Sequence, residues 1–150
     1  MTLEAASFTA APITHGTDRA SGTGGSSARV WAGRILSGLL VFFFAFDALG
    51  KLLKLAPVVS ASAQLGIGEG TVFAIGLVLA CCTLLYVVPR TATLGALFLT
   101  GYLGGAICTH VLHYAGAFPI VFSFGFGVLT WVGLGLRDDR VRALITRRAP

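Results

Sequence analysis

Asp47, Lys51 and Lys54 follow one another at spacings of four and three residues, and Thr109, His110 and His113 form a second polar group farther along the chain. On a helix those spacings put Asp47, Lys51 and Lys54 on one face, where either ammonium can neutralise the carboxylate. Such a set can hold a polar headgroup by charge and hydrogen bonds. No Ser/His/Asp arrangement, paired carboxylates or phosphate-cradling loop accompanies it. Two histidines at i and i+3 do not make a metal centre, and no metal is expected. Cys81, Cys82 and Cys108 show no C-x-x-C or Cys/His spacing and are read as small buried thiols.

The elements that must position these groups are apolar spans. The chain has 150 residues, of which 55% are hydrophobic and only 11% charged, with a mean hydropathy of +0.85. A soluble domain carries about 25% charge, so the composition points to an all-α integral membrane four-helix bundle. Four segments suit a single crossing each: residues 35–53, 71–88, 94–112 and 119–136. Residues 1–28, rich in Ala, Thr, Ser and Gly, are expected to form a disordered tail without a signal peptide. The membrane domain then runs over 29–145, and 146–150 form a basic end. The connection from Lys54 to Gly70 reads as a flexible loop with Pro57 and the glycines of GIGEG, and VPRT as a tight turn. GIGEG lacks the strand and helix context of a dinucleotide fingerprint.

Charge sets the orientation. Arg19, Arg29, Arg34, Arg90, Arg137, Arg140, Arg142, Arg147 and Arg148 fall on one side of four spans, and Lys51 and Lys54 on the other. The positive-inside rule therefore puts both termini in the cytoplasm. The net charge of +5 is read as this topological bias and not as a nucleic-acid surface. Trp31 and Trp131 are expected near the cytoplasmic interface and Tyr114 near the other.

Asp47 lies about twelve residues past Arg34, roughly 19 Å into the crossing, where a carboxylate needs a partner. Spans one and three run in the same direction, which brings Asp47, Lys51, Thr109 and His110 to similar depth. Tyr102, Thr109 and His113 fall within about 20° of one helical direction, beside a small-residue face of Gly101, Gly105 and Cys108. Gly101-x-x-x-Gly105 suits close helix packing, in the bundle or in a dimer. Tyr102 is expected to hydrogen-bond a neighbouring helix, and Ser123 and Thr130 to make interhelical hydrogen bonds. Periodicity leaves His110 facing either the cleft or lipid.

RILSGLLVFFFAFDALGKLLK (34–54), YVVPRTATLGALFLTGYLGGAICTHV (86–111) and WVGLGLRDDRVRALI (131–145) resemble the DoxX-like family of small four-helix membrane proteins. The resemblance implies a bacterial inner-membrane protein and, from the wider group, a link to quinone-dependent sulfur oxidation or to complexes handling oxidative and thiol stress. Combined with the polar cluster, it suggests a redox-linked accessory subunit that holds a quinone or similar amphiphile through Asp47, Lys51, Tyr102, Thr109 and His110. The sequence supplies no haem pair, cluster cysteines or flavin motif, so catalysis would need a partner membrane or redox subunit. Two alternatives stand beside it: a non-catalytic scaffold that holds partner helices or forms a homo-oligomer, and a small proton-coupled transporter.

Overall fold

A computed structural model describes residues 23–146, and within them six helices: α1 Thr23–Leu52, α2 Ala56–Gln64, α3 Glu69–Val87, α4 Ala92–Leu112, α5 Ala117–Arg137 and α6 Asp139–Thr146. The tail ahead of Thr23, with Arg19, and the end from Arg147 lie outside the described residues. Four helices are long and apolar enough to cross a bilayer: 27–52 within α1, then α3, α4 and α5. The spans expected from sequence are all present, with ends shifted by a few residues except at the start of α1. Its helix reaches back to Thr23, inside the stretch read as tail. Once a long helix is nucleated, each added residue gains a backbone hydrogen bond, so even the small residues of TGGSSA can extend it.

Each helix buries one stripe at helical spacing. On α1 the stripe is Gly33, Ser37, Leu40, Phe44 and Ala48; on α3 it is Val72, Gly76, Leu79, Cys82, Thr83 and Tyr86; on α4 it is Ala92, Gly95, Ala96, Leu99 and Leu103. The opposite faces expose Phe42, Phe46, Leu77, Leu84, Leu97 and Phe98, as lipid-facing surfaces require. Cys82 is buried, but Cys81 and Cys108 are exposed, which corrects the expectation for all three. They sit off the inward stripes of α3 and α4.

Close approach at the contacts rests on glycine. A Cβ on Gly95 would meet the Tyr86 backbone, with Leu85 C at 2.7 Å, and one on Gly76 would meet Lys51 Cβ at 2.7 Å. Gly33 and Gly133 do the same for the α1–α5 contact, where added methyls would lie 2.8 Å from Leu136 Cβ and 2.9 Å from Ser37 Oγ. α1 packs on α3 and α5, and α4 also packs on α3 and α5, so α1 and α4 stand on a diagonal.

Two elements lie outside the four expected spans, one of them in the connection read as a loop. α2 occupies the Lys54–Gly70 connection, with Pro57 in its first turn and Gly66 at φ +68 just beyond its end. α6 follows α5 after Asp138, whose carboxylate accepts from the Arg140 amide at 2.9 Å and starts the turn. Arg29 Nη2 reaches Asp139 Oδ1 at 2.6 Å and ties α6 to the start of α1.

The terminal end of the bundle is closed by a buried network. Tyr86 is fully buried, donates to the Thr130 carbonyl at 3.0 Å, and shares a 3.1 Å hydrogen bond with Ser37 Oγ. Arg137 lies 4.6 Å above the Tyr86 ring and donates to its carbonyl at 2.8 Å. Thr130 turns its own hydroxyl back to Phe126 O, so α3 and α5 are linked through its carbonyl, not through the side chain expected.

Candidate functional site

Toward the other end the core opens. The inward stripe of α4 runs from Leu99 and Leu103 to Ala106, Thr109 and His110, exchanging bulk for polarity. A cavity of about 710 Å³ fills the space between the diagonal helices, within the range of small-molecule sites. α2 covers its end with Val58, Ala61, Ser62 and Leu65, a contribution that reading 54–70 as a loop could not supply.

Asp47, Lys51, Tyr102, Thr109 and His110 all line this cavity. The first two come from α1 and the other three from α4, so the polar walls face each other across the diagonal. Lys51 Nζ pairs with Asp47 Oδ1, one turn apart; their side chains are 16% and 33% exposed. Lys54 turns away and lies 3.8 Å from Glu69. The pair is thus internally neutralised, yet the ammonium keeps further donor positions and the carboxylate further lone pairs.

On α4, Thr109 donates its hydroxyl to Gly105 O at 3.0 Å and offers its oxygen as an acceptor. Tyr102 makes no hydrogen bond with another described residue, contrary to the interhelical bond expected of it. His110 Nδ1 is buried without a partner. Leaving such an atom unsatisfied costs about 1–3 kcal/mol, which a bound polar group can offset. His110 therefore belongs to the cavity side of α4, the choice that periodicity left open. His113 stands apart at the end of α4, where its ring would lie 3.4 Å from a Cβ on Gly66.

Gly101 and Gly105 also border the cavity, and a Cβ on either would meet nothing within 4 Å. The expected helix packing at these glycines does not occur inside the bundle; their missing side chains leave space open. Ser123, expected to bond a neighbouring helix, has no hydrogen-bond partner among the described residues.

An aromatic wall, unforeseen from sequence, completes the cavity. Phe43 and Phe44 of α1 meet Phe122 and Phe126 of α5, with centroids 4.4 Å apart for Phe43–Phe126 and 5.6 Å for Phe43–Phe122. Such rings offer faces and edges to a flat group. The signal was present in FFFAF and in the four-residue spacing of Phe118, Phe122 and Phe126. The site therefore combines one ion pair, a phenol, a hydroxyl and an unpartnered imidazole nitrogen with an apolar, ring-bearing wall. It can orient an amphiphile whose head is polar and planar.

No curated protein and no solved structure matches the chain. The sequence model of the DoxX-like family matches residues 35–133, which take in all of α2, α3 and α4 and most of α5, and the chain belongs to that family. It is a multi-pass membrane protein.

Proposed function

We propose that this DoxX-like protein binds a quinone or a similar amphiphile, head in the α1/α4 cavity, as an accessory subunit of a membrane redox complex in the bacterial inner membrane. The observation that carries this reading is the meeting of two polar walls and an aromatic wall around one cavity. Lys51, Tyr102 and His110 supply donors to carbonyl oxygens, with the Asp47 carboxylate holding the Lys51 charge in place. The Phe43/Phe126 wall receives the ring face. Electrons pass to or from the bound head through a partner subunit, so the chain's own part is to bind and orient.

The orientation belongs to the same proposal. Arg29, Arg34, Arg90, Arg137, Arg140 and Arg142 lie toward one end of the bundle, and Lys51 and Lys54 toward the other, which supports cytoplasmic termini and a cavity in the outer leaflet.

The test is equilibrium binding of a short-chain benzoquinone to purified protein in nanodiscs. Saturable binding that weakens in both Asp47→Asn and His110→Ala is the expected result. Binding that never saturates, or that both variants leave untouched, removes the reading.

A further inference from the structure

The seam between α4 and α5 has an opening on each side. On its outer face runs a groove of about 610 Å³, from Ile107 and Ser123, in the half of the seam away from the termini, to Trp131 and Arg142 near the terminal end. On its inner face lies the polar cavity. Leu103 and Ser123 line both, so at their level these two side chains stand between the two spaces.

The packing around them is sparse for reasons of sequence. Gly127 stands opposite Leu103, and a Cβ on it would meet only the Leu103 Cδ1 at 3.8 Å; a Cβ on the neighbouring Gly104 would meet nothing within 4 Å. Below this level Trp131 Nε1 donates to Thr100 Oγ1 at 2.9 Å and holds the two helices together. The seam is pinned at one level and lined by glycine at the next. The Ser123 hydroxyl, on a residue only 8% exposed, has no hydrogen-bond partner among the described residues to keep it across the gap.

We propose that the α4–α5 seam is a lateral portal, through which the single chain of the bound amphiphile passes between Leu103 and Ser123 into the outer groove. This rests on the headgroup reading above and narrows its ligand class to a planar polar head bearing one long, unbranched or regularly branched chain. The adjacency of cavity and groove across two shared residues, with the groove lined almost wholly by apolar side chains, points to an apolar chain as the occupant. From Ser123 to Leu136 the groove offers about 20 Å of wall, length for an extended chain. A gap closed by the Leu103 and Ser123 side chains passes one chain and not the paired chains of a phospholipid.

Two photoreactive probes in nanodiscs test the portal: a benzoquinone with a diazirine at the end of its alkyl chain, and one with the diazirine beside the ring. Adducts are located by peptide mass spectrometry, with excess unlabelled chain-bearing benzoquinone as competitor. The ring label should fall on cavity residues such as Tyr102 or Ala106. The chain label should fall on Phe124 or Val128 of the groove, and competitor should suppress both.

Gly127→Phe should reduce the chain label in the groove severalfold while the ring label persists, which also shows that the variant is folded. Gly104→Phe, from the facing helix, serves the same purpose if Gly127→Phe does not accumulate. A competed ring label with the chain label confined to the cavity or to α2 overturns the portal and leaves the headgroup reading standing. Chain labelling of the groove that resists competitor or both phenylalanines marks ordinary bilayer contact and also overturns the portal. A ring label without competition overturns both.

Discussion

Alanine placed at Gly95 and at Gly101 should move the stability of the bundle in opposite directions, although both sit in α4. A methyl on Gly95 would lie 2.5 Å from Tyr86 Cα and 2.7 Å from Leu85 C, with the Tyr86 amide also in its way. Carbons come to rest about 3.5–4.0 Å apart, so α3 and α4 must separate by about 1 Å at their tightest point. Overpacking of this kind costs about 1–3 kcal/mol, and here it presses on backbone, which cannot change rotamer. The usual gain from replacing a helical glycine, about 0.5–1 kcal/mol, does not offset it. At Gly101 nothing lies within 4 Å of the new methyl, and that gain should appear undiminished. Because that gain is common to both positions, the two variants should differ by the overpacking cost alone, roughly 1–3 kcal/mol. Reversible unfolding in mixed micelles, followed by far-UV circular dichroism against the mole fraction of denaturing detergent, measures the difference. Equal stabilities, or a Gly95→Ala protein more stable than the parent, would refute the close α3–α4 contact.

Two further predictions follow from the buried polar groups. Tyr86→Phe removes the hydrogen bonds to Ser37 and Thr130 O while keeping the ring under Arg137, and should cost about 1–2 kcal/mol in the same unfolding assay. Lys51→Met leaves the Asp47 carboxylate alone in a half-buried site, and should cost about 1–3 kcal/mol, between the values for exposed and buried pairs. Adding Asp47→Asn should recover much of that loss, because a neutral amide needs no counter-charge; a double variant worse than Lys51→Met would show that the pair is not the source of the cost.

The spans were legible because apolar length, the Pro57 and GIGEG connection and the VPRT turn are written locally. α2 was not, since PVVSASAQ carries no broad apolar stripe and its helix is supported by α1 and α3, which lie next to it only in space. The polar residues of the cavity were legible as types, and depth counting placed them at one level. Rotation was another matter: α4 is apolar nearly all round, so periodicity did not tell the face of His110 from the face exposed to lipid. Gly101 and Gly105 show the converse failure. A small-xxx-small spacing fits a tight contact and an empty space equally well, and the neighbours that distinguish them come from other helices. Ser123 and Thr130 were read as cross-links by residue type, whereas the bond that crosses from α3 to α5 uses the carbonyl of Thr130.

α1 and α4 stand on the diagonal and are held at their separation through α3 and α5. A molecule that touched both Asp47 and His110 would act as a strut across a frame that lacks one. Its binding would add to the resistance of the bundle to unfolding, by about 2.7 kcal/mol when its free concentration is about a hundredfold above Kd. Occupancy would then join α1 to α4 directly, two helices that the bundle otherwise ties together mainly through α3 and α5.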